Sequence, residues 1–233
     1  DRLSITVILT LTTMIFTWAV GLPIGIYSAT HQYSKLDYLF TSTSFIGLAT
    51  PDFMLALILL YLGVVYLGKS YAGLFSPEFA DAPWSFARLV DMMKHIIVPL
   101  IIGGTSGTAG LVRIMRGSLL DELNKPYVIT ARAKGLSERK LLWKYPVRVA
   151  INPFVSTIGW TLASLFSGGT IIAVVLGLPT VGPLMLSALM AQDMYLAGSI
   201  LFIMSILTVI GTLISDLLLA WVDPRIRFEG GGR

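Results

Sequence analysis

Five stretches of this chain, near residues 5–29, 45–68, 95–115, 153–176 and 195–221, each run for more than twenty residues with at most one charged side chain. A helix needs about 20 residues to cross the hydrocarbon layer of a membrane. A soluble bundle needs a polar outer face on most of its helices, and five nearly uncharged ones leave none. Charged residues make up 13% of the 233-residue chain, about half the ~25% of soluble domains, so polar surface is scarce throughout. The expected fold is therefore all-α: a polytopic membrane protein with five transmembrane helices. Pro23 and Pro51 interrupt the first two spans, where bends are tolerable because neighbouring helices re-satisfy the freed backbone groups. After the fourth span comes "LPTVGPLMLSALMA", free of Lys and Arg and punctuated by Pro179, Gly182 and Pro183. It is too short for a sixth crossing, and reads as a short extracytoplasmic re-entrant or interfacial helix.

Orientation follows from the cations, which favour the cytoplasmic side. With the amino terminus outside and the carboxy terminus inside, the inner segments hold 13 of the 17 Lys and Arg residues, including Arg225, Arg227 and Arg233 near the end. Nine of them lie between Arg113 and Arg148, against Asp121, Glu122 and Glu138, so one loop carries more positive charge than the whole chain's net +4. Within it, Pro126 suits a first helical position, "YVITARAK" can form a short helix, Gly135 can end it, and Ser137 can cap a second helix beginning "ERKLLWK". On charge alone the bland reading is a basic loop touching anionic lipid. Nucleic-acid binding is a poorer one for so short a tethered segment.

The segment "YVITARAKGLSERKLLWKYPVRVAINP" resembles the EAA-type cytoplasmic loop of binding-protein-dependent ABC importer permeases, in the dipeptide/oligopeptide/nickel form whose core reads "ARAKG". The likeness continues through "VGLPIGI", "GLATPDFMLALILLYL", "RIMRGSLLDELNKPYV", "GLPTVGPLM", "QDMYLAG" and "LLLAWVDPRIRF", in the family's order. The resemblance implies one ABC transporter transmembrane domain over 1–233, with a coupling loop at 113–150 whose short helix inserts into a groove on an ATPase subunit. Docking residues carried over are Ala131, Arg132, Ala133, Lys134, Gly135, Leu136, Arg139 and Lys140. Ala131 and Ala133 are small enough for close approach to the partner, and the cations could meet its acidic or carbonyl groups. The implied partners are a second homologous permease, two ATP-binding subunits, an extracytoplasmic solute-binding protein and the lipid bilayer, with no nucleic acid, in a bacterial or archaeal plasma membrane. The substrate is a peptide by resemblance, with nickel and oligosaccharide as alternatives. The family's first helix and the extracytoplasmic region after it have no counterpart here, so the chain is expected to be a fragment of a six-span subunit. It departs from the family at Ala173, often a glutamate, and at Pro179–Gly182, often Pro-Gly-x-Gly.

No "GxxxxGK[ST]" phosphate-binding loop occurs, so ATP hydrolysis is expected in a separate subunit and this chain is not expected to be an enzyme. It has no cysteine, and no cofactor or metal is expected. Candidate pore or gate residues are Ser164, Pro179, Gly182 and Asp193. The hydroxyls of Thr10, Thr13, Thr17, Ser156, Ser199 and Thr212 either face the pore or bond back to their own helices. "GGTSGTAG", with Gly103, Gly104, Gly107 and Gly110 at small-xxx-small spacing, reads as a helix-packing strip. The runner-up class is a secondary transporter or channel not powered by ATP. Such proteins keep ionisable residues at mid-membrane, and only Asp216 lies well inside a span; pairing with Arg113 or Arg116 is the preferred role for it.

Overall fold

The computed structural model describes the backbone over residues 2–222, and the side chains over that range apart from 157–168 and 222. All regular elements among the described residues are helices: α1 (Arg2–Thr30), α2 (Lys35–Ala49), α3 (Asp52–Leu67), α4 (Phe86–Leu123), α5 (Pro126–Ala133), α6 (Glu138–Lys144), α7 (Pro146–Ala150), α8 (Asn152–Val175), α9 (Val181–Met190) and α10 (Met194–Val222). Among the described residues α1, α4 and α10 are each long and apolar enough to cross a membrane. At 38 residues, α4 is about 57 Å long and outruns a ~30 Å hydrocarbon layer by several turns.

The second expected span, 45–68, is corrected. It is two helices, α2 and α3, bent by 100° at a short break. Thr50 precedes Pro51 and takes an extended conformation, φ −87° and ψ 119°, because the proline ring crowds the helical region for its predecessor. Pro51 is extended as well and opens α3. α2 also begins ten residues earlier than the apolar count places it. Ser34 caps it by accepting the Asp37 N–H at 3.1 Å, a start that the charges of Lys35 and Asp37 conceal from hydropathy. Pro23, by contrast, sits inside an unbroken α1.

The bundle is organised around α1 against α4. A Cβ built at Gly104 would lie 2.6 Å from Phe16 of α1, one at Gly107 3.1 Å from Thr17, and one at Gly25 of α1 2.6 Å from Met115 of α4. A Cβ at Gly104 or Gly25 would collide and one at Gly107 would crowd Thr17, so the strip at 103–107 is a packing seam, whereas Gly110 of the expected strip has nothing within 4 Å of its Cβ position and lies outside it. Thr6, Thr10, Thr13 and Thr17 form a buried stripe along α1, which takes the α1 hydroxyls out of the pore-facing reading. Two apolar clusters follow. Ile26, Ala29, Leu111, Met115, Leu119, Val147, Ala150 and Phe154 join α1, α4, α7 and α8 at the end that carries the polar loop. Ala56, Ile102, Ile172, Ala173, Leu176 and Leu178 join α3, α4 and the end of α8. Ala173, where the family often has a glutamate, is a core residue here.

Candidate functional site

The polar loop is built by its punctuation. Lys125 is extended, φ −72° and ψ 146°, as a residue before proline must be, and Pro126 starts α5 at its first position. Gly135 has φ +80°, the left-handed conformation that glycine adopts without steric cost. Its N–H donates to the Arg132 carbonyl at 2.9 Å, closing the turn. Ser137 stands at the amino end of α6, yet its hydroxyl makes no capping bond there, which corrects the expected cap. Val128, Ala131 and Leu141 are buried together, with Leu136 and Tyr145 against them, so α5 and α6 close on a small apolar centre. The Arg132 guanidinium bridges the turn to Glu138, Nε–Oε1 2.6 Å and Nη2–Oε2 3.1 Å. That pairing holds the Glu138 carboxyl below its ordinary value and raises the already high Arg132 pKa. α7 then returns the chain to the bundle through buried Val147 and Ala150.

The expected docking residues therefore divide. Ala133, Lys134, Gly135, Arg139 and Lys140 are exposed, and Leu136 is half-buried. Ala131 is 7% exposed and faces α6, so its small size serves the contact between the two short helices, and the expectation that it approaches a partner is corrected. Arg132 is occupied by Glu138. The most exposed large apolar residues of the α5–α6 unit, absent from the expected docking set, are Ile129, 55% exposed, and Trp143, 57% exposed. Ile129 and Ala133 are four apart and share one face of α5. The signal for Ile129 was there, in an apolar residue one position from the buried Val128 and hence a quarter-turn off the inward face.

The opposite end of the bundle gathers the candidate gate. α8 finishes through Gly177, φ +64°, and the Leu178 N–H donates to the Ala173 carbonyl at 2.8 Å. Pro179 is half-buried in the turn that follows, and Thr180 is buried. The Val181 N–H at the start of α9 donates to Thr6 Oγ1 of α1 at 2.9 Å. A Cβ on Gly182 would fall 2.5 Å from Thr170 Oγ1 and 2.9 Å from Thr170 Cα, so its absence lets α9 lie against α8. Pro179 and Gly182 are thus together. Asp193 is at the far end of α9, where its Oδ1 accepts the Leu196 N–H at 3.0 Å and caps α10. The Ser164 side chain and Arg225, Arg227 and Arg233 lie outside the described residues. Ser156, Ser199 and Thr212 each donate to a carbonyl of their own helix.

Arg116 pairs with Asp37, at 3.1 Å from Nε to Oδ1 and 3.1 Å from Nη2 to Oδ2, and not with Asp216. The Arg113 guanidinium lies over the Phe45 ring, 5.2 Å from its centre. Asp216 is exposed on α10, so its expected structural pairing is corrected.

A long α4 continued by two short helices about a glycine turn can be weighed against known proteins. The family described as binding-protein-dependent transport system inner membrane component matches residues 21–228. The chain belongs to this family. The permease is 36% identical over 227 residues to the oligopeptide transport system permease protein AppB of Bacillus subtilis, covering 97% of this chain and 70% of that one. It is 33% identical to the inner membrane ABC transporter permease protein YejB of Escherichia coli O157:H7, covering 99% and 64%. It is 30% identical to the oligopeptide transport system permease protein OppB of Haemophilus influenzae, covering 91% and 65%. The permease thus spans about two thirds of the length of these relatives. Its fold is similar to a chain solved in inward-facing conformations of the MetNI methionine ABC transporter, with a TM-score of 0.67 at 16% identity over 94% of this chain and 93% of that one. Membership in this family sets aside the runner-up reading, a secondary transporter or channel not powered by ATP.

Proposed function

We propose that this ABC importer permease forms half of a translocation path for peptides or similar small solutes, powered by ATP that a partner subunit hydrolyses. The observation that carries the reading is the α5–α6 unit at the end of α4. Two short helices, closed on their own apolar centre, leave Ile129, Ala133, Lys134, Lys140 and Trp143 exposed where a long rigid helix leaves the bundle. A loop that only obeyed the positive-inside bias would have no need of an internal core or of exposed Ile129 and Trp143. The unit faces the cytoplasm by the cation distribution, docks to one of two ATPase subunits, and carries their closure to the spans. A second homologous permease completes the path, and an extracytoplasmic binding protein delivers the solute. The peptide assignment rests on the oligopeptide permeases to which the chain is similar. In this reading the chain over 1–233 is one ABC transporter transmembrane domain with its coupling loop at 113–150, in the plasma membrane of a bacterium or archaeon. α9, at ten residues, is a re-entrant or interfacial piece of the outer gate.

The test is reconstitution of the full complex in liposomes with binding protein and ATP. Ala133→Trp should insert normally and abolish uptake, because a bulky ring on the exposed α5 face excludes the partner. Uptake equal to the parent would contradict docking through this face.

A further inference from the structure

Of the fifteen residues of α2, only Asp37 and Gly47 are buried. Phe40, Thr41 and Ser44 between them are half-buried, Phe40 stands edge-on to Tyr27 of α1 and Arg113 of α4 lies over Phe45, but only two contacts of this helix are fully buried. At one, Gly47 sits against α4, where a Cβ would lie 3.0 Å from Thr105 Cγ2. At the other, Asp37, 3% exposed, receives the two-pronged Arg116 guanidinium of α4. The same carboxylate accepts the Tyr33 N–H at 3.0 Å and the Thr41 hydroxyl at 3.4 Å. Tyr33 has φ +62°, a left-handed conformation uncommon for a residue with a side chain, and the Asp37 bond holds it in the turn between α1 and α2. One carboxylate thus gathers α2, the α1–α2 turn and α4.

Apolar contacts tolerate sliding. A bidentate arginine–carboxylate pair fixes orientation as well as distance, and here an almost wholly buried Asp37 side chain is met by an Arg116 that is itself partly exposed, so removing either partner leaves the other charge uncompensated. The pair's place along α4 gives it a role. Arg116 lies about two turns before α4 ends at Leu123, and α5 begins at Pro126. The buried cluster of α1, α4, α7 and α8 occupies the same stretch through Leu111, Met115 and Leu119, but it includes no residue of α2. At the loop end α2 meets that body through the Phe40–Tyr27 ring contact with α1 and through the ion pair with α4, and of the two the ion pair is the directional one.

We propose that Asp37 and Arg116 are positioning residues for energy coupling. Displacement of the α5–α6 unit is carried along α4, delivered through the pair to α2, and passed across the 100° bend at Thr50–Pro51 to α3. The proposal rests on the importer reading above, and its test separates the two.

The whole complex, with ATPase subunits and binding protein, is reconstituted for parent, Arg116→Lys, Arg116→Gln and Asp37→Asn. Assembled complex, ATP hydrolysis and solute uptake are measured on each. The expected result is that Arg116→Gln and Asp37→Asn lower uptake per ATP about tenfold in the complexes that assemble, in line with shifts seen along coupling paths. Arg116→Lys should fall between, since it keeps the charge and loses the fork. An uptake-to-ATP ratio equal to the parent's overturns the proposal, whether or not the amount of complex falls, because a purely structural pair changes the amount and not the ratio. A parent complex without ATP-driven uptake overturns the importer reading instead.

Discussion

At Gly135 the chain needs a backbone conformation, not space. Its φ is +80° and a Cβ there would meet nothing within 4 Å. Gly135→Val therefore acts through steric strain in the turn, re-aiming α5 against α6 while leaving the buried spans untouched. Membrane insertion should stay at parent level and uptake should fall at least about tenfold, measured by membrane content and transport in the same vesicles. Gly182 poses the opposite problem. Its conformation is ordinary, but any side chain collides with Thr170, so Gly182→Ala should cost about 1–3 kcal/mol of stability as an overpacked contact, read from thermal unfolding in detergent. The Arg132–Glu138 bridge gives a pH signature. Glu138 is held below its ordinary value, so the bridge's contribution is complete above that value and is lost as pH falls through the lowered one. Protease sensitivity of the 132–138 turn should stay flat from about pH 7 to pH 5 and rise only below about pH 4.

Among the elements, α5 and α6 were the most legible in the sequence, because Pro126 and Gly135 are strong local punctuation whose effects need no distant partner. What lay outside its reach was the way the two helices close. Ala131 turns inward only because α6 folds back and brings Leu141 against it, a contact that composition does not announce. The division of 45–68 was missed for a different reason. Pro51 was visible, but whether a proline bends a span or breaks it depends on what packs on each side, and here Gly47 and Asp37 hold α2 on α4. Asp37 and Arg116 are 79 residues apart and nothing local links them, so the sequence alone points the arginines of α4 to Asp216, the one acid well inside a span. The closed α5–α6 pair predicts that two neighbouring alanines respond differently. Ala131→Trp should open the loop and expose it to protease, whereas Ala133→Trp should leave protection at the parent level, as limited proteolysis of the inserted protein will show.

On the scale of the whole molecule, α3 and α10 turn large apolar side chains outward, among them Tyr61, Tyr66, Phe202, Val209 and Trp221. Faces this apolar are ill-suited to water and suit a bilayer or the second permease proposed above. The orientation proposed from the cation count is open to single-cysteine labelling, which the absence of cysteine from this sequence makes clean. A thiol at Lys140→Cys should react with an impermeant reagent only once the cytoplasmic face is opened, and one at Glu78→Cys should react in intact cells. The central claim, that the α5–α6 unit is where the ATPase grips the permease, is tested most directly by a photo-crosslinker placed at Ala133 in the assembled complex. It should capture the ATPase subunit, with a yield that changes when nucleotide closes the ATPase pair. Capture of lipid alone, with no ATPase adduct in a complex that still transports, would contradict it.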